Sequence, residues 1–260
     1  MRISPTPGRA IFRALASICL LFSPLAELQT QAVPLKASIQ HTERMPSVDP
    51  ALKAGAQFNL SATEEEPQNF WVRIPDWLAG TWLVETETRV YHHDYRANTT
   101  DNSVMPFKAR SRFTYGKQTD RKGGIWHFLG VPYCSATDFP TFTEYHQVAS
   151  KQCLDGSPTH ISMRTHFTVI RVNKTTRKVT ETFQQESITT YTRAAPGELK
   201  LESSTKVFDA AGAPTHLARN EATVARTEPY TPVDSEAGKN MHELFRQFLI
   251  AHRMLDILPD

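Results

Sequence analysis

Glu144 and His146 lie two positions apart, so both fall on one face of an extended strand. In that spacing a carboxylate can hold an imidazole in one orientation, which is what a general base requires. The pair is the candidate catalytic site. It also fits a solvent-facing strand of polar side chains, and on sequence alone that is the stronger interpretation, so no catalytic residue is assigned. His92 and His93 end another alternating run and point to opposite faces. A metal site there needs a third ligand from elsewhere in the chain, and no metal is expected. Trp126-His127, His160 and His166 read as packing or surface positions.

Cys134 and Cys153 are the two cysteines beyond residue 32. An isolated pair in an oxidising compartment is expected to form one disulfide. The compartment is inferred from residues 1–32, which resemble an export signal. Arg2, Arg9 and Arg13 precede the apolar run 14–22, Pro24 breaks it, and Thr30-Gln31-Ala32 offers a small-residue cleavage site. The run is short of the roughly 20 residues that span a bilayer, so no transmembrane segment is expected. The expected location is periplasmic or secreted.

The 260 residues carry 29 basic and 27 acidic side chains. Removal of 1–32 takes away three of the first and one of the second, leaving 26 of each. A balanced surface argues against a dedicated nucleic-acid binder, which needs a basic face to displace counterions. The oligomeric state is not readable.

The elements follow from periodicity. Residues 33–69 contain Pro34, Pro46, Pro50 and Pro67 and little apolar pattern, and read as a flexible polar linker or arm. Residues 70–260 form the folded domain. It opens on 70–82, which holds three of the four tryptophans. Strand patterns of period two follow at about 81–95, 104–116, 125–134, 142–151, 159–172, 178–193, 198–208 and 215–227. The third is apolar on both faces, so its outer side should be covered. A helix follows, with Asn240 and Glu243 placed as in a capping box and Met241, Leu244, Phe245, Phe248, Leu249 and Leu255 at helical spacing. Eight strands joined by short turns make an antiparallel meander, and closure into a barrel would remove its edges. The fold class is all-β, an eight-stranded up-and-down barrel with the helix packed outside.

Gly80-Thr81-Trp82 at the start of the first strand, the helical turn before it, the eight strands and the terminal helix together resemble the calycin superfamily, lipocalins in particular. The resemblance implies that Gly80 and Trp82 close one end of the barrel and that Arg226, with Arg219 second, stacks on the Trp82 ring. Leu78-Ala-Gly-Thr-Trp82 also has a weaker similarity to nitrobindin-type haem barrels, in which His216 would correspond loosely to the haem ligand. Val84-Glu-Thr-Glu-Thr88 departs from the glycine-rich strand of that family, so the expectation is no cofactor, with haem as the outlying alternative.

With Trp82 facing inward, alternation places Thr86, Thr88, Ser111, Phe113, Thr165, Phe167, Ser203 and Gln185 in the lumen, and His92 and Tyr115 near its rim. Small hydroxyls among apolar residues leave room and hydrogen-bonding groups for a ligand of mixed polarity. The expected function is the binding of a small, partly apolar molecule. An isomerase or hydrolase using Glu144 and His146, and a non-catalytic envelope interaction module, are the alternatives.

Overall fold

The computed structural model describes residues 40–63 and 68–259. The expected export signal, 1–32, lies outside them. Most of the domain is one nine-stranded antiparallel sheet. Its strands in chain order are β2 (Gly80–Asp94), β3 (Thr99–Asp101), β4 (Met105–Tyr115), β7 (Tyr133–Asp138), β8 (Phe142–Gly156), β9 (His160–Asn173), β10 (Val179–Ala195), β11 (Glu198–Asp209) and β12 (Pro214–Glu228). Consecutive strands β7 to β12 pair in turn, β12 pairs with β2, and both β3 and β4 lie along the far edge of β2.

The sheet curls. The Phe113 and Tyr115 rings on β4 lie 5.5 and 5.2 Å from the Tyr191 ring on β10. Four strand-to-strand steps separate those strands, about 19 Å in a flat sheet. The curl buries Trp82, Val84, Ile161, Met163, Tyr191, Leu199, Leu201 and Val224 on the concave face. Edge strands β4 and β7 share no ladder, so the closed eight-stranded barrel is not formed among the described residues.

The expected third strand is two elements. β6 (Ile125–Phe128) leaves the large sheet and pairs with β1 (Trp71–Ile74) and β5 (Gln118–Thr119) in a small three-stranded sheet. Gly130, at φ +39°, redirects the chain before β7. The small sheet is buried on both faces. Ile74 and Ile125 turn towards the concave core, whereas Trp71 and Trp126 pack on helix α1 (Met241–Ala251) through Met241, Phe245, Phe248 and Leu249. This explains why β6 is apolar on both sides. The helix begins where expected: the Asn240 Oδ1 accepts the Glu243 N–H at 3.0 Å. Leu255 falls in a following 3-10 turn and is exposed.

Residues 40–58, read from sequence as part of a flexible polar linker or arm, lie as a strap across the convex face of β9, β10 and β11. Val48, Leu52 and Phe58 are buried there, and the strap backbone bonds to Gly212, Ala210, Val179 and Arg177. At Gly212, φ is +81° and a Cβ would meet the Met45 carbonyl oxygen at 1.8 Å, so only glycine admits the strap. The Cys134–Cys153 disulfide is absent. Cys134 on β7 faces Gln147 of β8, six residues from Cys153, about 20 Å along the strand. The two thiols also belong to different clusters, Cys134 beside the strap core and Cys153 in the concave core.

Candidate functional site

One end of the concave face is sealed. Trp82 is fully buried, its indole N–H donates to the Leu78 carbonyl at 2.8 Å, and the Arg226 guanidinium lies 4.8 Å over its ring. Arg226 also donates to the Trp77 carbonyl at 2.6 Å, which fixes the guanidinium in place. Gly80 makes the turn at φ +126°, where a Cβ would come 2.7 Å from the Glu228 carbonyl. Gly80, Trp82 and Arg226 are thus brought together at the closed end, and Arg219 is elsewhere, over the Tyr91 ring.

Above this floor stands a group of aromatic residues from different strands. Phe113, Tyr115 and Tyr191 are in mutual contact, and Tyr115 also meets His127 of β6 at 4.8 Å. Burial pushes the Tyr115 hydroxyl well above its usual range, with Tyr191 adding to it. Burial likewise pushes His127 down to about 3, aided by Lys151 and Lys117, so its ring is neutral. The His127 Nδ1 is buried without a hydrogen-bond partner among the described residues. Tyr115, expected at the rim, lies at the floor.

The middle of the face is a band of half-buried hydroxyls. Ser187 stands between register partners Thr165 and Thr205, bonded to the latter at 3.1 Å, and Thr189 pairs with Ser203. Ser111, opposite Val84, reaches the same face from β4. Thr86 and Thr88 do not. The β2–β12 ladder slips by one residue between Leu83 and Thr88, which reverses the alternation of β2. Thr86 is exposed and Thr88 is half-buried beside Glu221 on the convex side. Glu87 and Arg89 take the inward positions, and Glu87 accepts from Asn220 at 3.0 Å. A second slip restores the phase, so His92 faces inward 5.7 Å from His216.

The open end carries charge. Glu144 and His146 do share the concave face: Glu144 Oε1 and His146 Nε2 are 2.8 Å apart, and the imidazole stacks on Phe167 at 5.8 Å. Arg171 donates to Glu144 at 2.8 Å and to Glu181 at 2.6 Å. Burial works to raise the Glu144 carboxyl, but the bonds from His146 and Arg171 outweigh it and hold the group below its usual range. Beside this cluster is a cleft of about 510 Å³ lined by Arg96, Arg171, Phe183, Gln185, Val207 and His216, among others. Burial, then His92, lowers the His216 pKa. No group of three metal-ligating side chains occurs among the described residues.

A second cluster, on the convex face, was not foreseeable from sequence. Glu186 is sealed beneath the strap and accepts from the His41 ring at 2.7 Å, the Thr42 N–H at 2.8 Å and hydroxyl at 2.9 Å, and His166 at 2.9 Å. Arg164 approaches it at 3.2 Å. Burial alone would raise this carboxyl, but the bonds from His166, Thr42 and His41 hold it at about 2. Its partners are 145 and 20 residues away in the chain, and no local pattern joins them.

No protein-family model and no curated protein matches the chain.

Proposed function

We propose that the protein is a lipocalin-like binder that takes a small, partly apolar molecule against its concave face. The observation that carries this reading is the row of half-buried hydroxyls, Thr165, Ser187, Thr189, Ser203 and Thr205, in the middle of an inward-facing surface. A face built only for stability would place large aliphatics there. Polarity is graded along the face, with aromatic rings at the sealed end, hydroxyls in the middle and Arg171, His146 and Glu144 at the mouth. A ligand with an apolar body and a polar or charged end fits this order. The Arg226–Trp82 stack at the sealed end supports the lipocalin-like reading, and the apolar run 14–22 supports export. The binder acts in an exported compartment without a resident cofactor.

The 2.8 Å contact between Glu144 and His146 favours a second reading, in which His146 acts as a base on a molecule bound at the mouth. Native mass spectrometry on full-length protein from its own host separates the readings. A bound small-molecule mass, lost in Ser187→Leu but kept in His146→Ala, is the result expected of a binder. Turnover of that molecule by the wild-type protein and not by His146→Ala would favour the enzyme. Protein that carries no ligand and binds none from a host metabolite extract would overturn both.

A further inference from the structure

Glu186, His41 and Ser204 stand in a line across the convex face. The His41 Nδ1 is 2.7 Å from the Glu186 Oε2, and its Nε2 is 2.8 Å from the Ser204 Oγ. We propose that these residues form a hydrolytic triad, with Ser204 the nucleophile, His41 the general base and Glu186 the positioning carboxylate, acting on small carboxylic esters. The site is separate from the concave face, because side chains at even positions of β10 and β11 point the other way.

The arrangement has the order the chemistry needs. A carboxylate on Nδ1 fixes the neutral tautomer with Nδ1–H donating, which leaves the Nε2 lone pair to accept the Ser204 O–H. Burial lowers the His41 pKa although Glu186 opposes it, so the ring is a neutral base at pH 7. Glu186 cannot swing away, because Thr42 holds it through two bonds and His166 through a third. Its own acidity keeps it ionised. Ser204 is half-buried.

The fourth requirement is positive charge where the carbonyl oxygen becomes negative. The cross-strand partner of Ser204 on β12 is Arg219, on the same face and on the side away from Glu186. The order across the strands is therefore acid, base, nucleophile, cation. Arg219 is exposed and its guanidinium lies over the Tyr91 ring, 5.0 Å from its centre. A side-chain cation can serve where strand pairing engages the backbone N–H groups. The strap also restricts the site, since it covers the Glu186 side and leaves approach from the β12 side, which suits small esters.

In the proposed cycle the Ser204 oxygen attacks the ester carbon and its proton passes to His41 Nε2. The C–O bond to the alcohol breaks, and His41 returns the proton to the leaving alkoxide. Water then attacks the acyl-serine with His41 again taking and returning a proton, which releases the carboxylic acid and restores Ser204.

The test is covalent labelling of the full chain with a fluorophosphonate, mapped by intact and peptide mass, together with hydrolysis of p-nitrophenyl acetate. One adduct on Ser204 is expected, absent in Ser204→Ala and slowed at least about 100-fold in His41→Gln, with hydrolysis falling in parallel. The His41→Gln change keeps a hydrogen-bonding amide on the strap while removing the base, and circular dichroism checks that the variant is folded. The labelling rate should fall as pH drops through the lowered pKa of His41, below 6.5, and the ring takes up a proton. No adduct on Ser204, an adduct only on another serine, or labelling unchanged in folded His41→Gln would each overturn the proposal and leave the cluster as an anchor for the strap.

Discussion

On β10, Glu186 is sealed from solvent under His41 and Thr42, whereas its neighbours Gln185 and Ser187 turn to the other side and remain half-buried. Adjacent residues of one strand thus belong to two surfaces built on different principles. At Glu186 the convex surface is covered by the strap and each carboxylate oxygen is matched by a donor, while the nearby Arg164 Nε is buried without a hydrogen bond among the described residues. The concave surface carries polar groups with capacity to spare, such as the His127 Nδ1 and the hydroxyl band. The difference separates polar groups whose partners are complete from polar groups with unused bonding capacity. A buried charge is tolerated only when fully partnered, so a satisfied network marks structure or preorganised chemistry.

This contrast breaks most severely at Glu186. Glu186→Ala leaves Arg164 facing an unpartnered cavity and frees His41 and Thr42, and should lower stability by about 3–5 kcal/mol in urea unfolding. A loss below about 1 kcal/mol would mean the strap is held by its apolar residues alone. Gly212→Ala should cost about 1–3 kcal/mol from the strained φ, and more as the Met45 carbonyl is displaced. It should also open 40–58 to limited proteolysis ahead of the sheet. At the sealed end, Arg226→Ala removes the cation over Trp82, with an expected loss of about 1–2 kcal/mol and red-shifted tryptophan emission.

Acid should loosen the convex face. The folded pKa of His41 is lowered, so its contribution is full above 6.5 and is lost as pH falls through the lowered value. Glu186 is lowered from 4.5 to about 2, so its contribution is full above 4.5 and disappears towards 2. Both favour release of the strap on acidification, and cleavage within 40–58 should be faster at pH 4 than at pH 7. Equal rates would show that neither group controls the strap. The smallest stability effect belongs to the concave band. Ser187→Ala with Thr205→Val should change stability by about 1 kcal/mol or less while weakening ligand retention, and a large destabilisation would mean the band is packed structure.

Seven of the eight strand patterns were legible because each alternates over ten residues or more, as in 159–172 and 215–227. The third pattern was apolar on both faces for a reason alternation cannot give: β6 serves the helix with Trp126 and the core with Ile125. Trp82, Gly80 and Arg226 were legible through a short motif whose parts lie close to strand ends, where register error is small. Thr86 and Thr88 were misplaced because one extra residue in β2 reverses the side chains up to the second slip, and a bulge leaves no mark in composition. His41 and Glu186 were invisible for a different reason, since a strap held by contacts 145 residues away needs no periodicity of its own. The cysteine pair failed because spacing in the chain says nothing of stagger along neighbouring strands.

The strap has a consequence for the order of assembly. It precedes in the chain every surface it binds: Glu186, Ala210 and Gly212 are all made after it. On a chain growing from its N-terminus, residues 40–58 therefore wait without a partner until β9, β10 and β11 have joined and the turn at Gly212 is complete. Its apolar side chains Val48, Leu52 and Phe58 are a liability through that interval and a seal afterwards. Docking of this early-made segment therefore follows the joining of β9, β10 and β11, so a protected strap identifies a molecule in which those three strands are already paired.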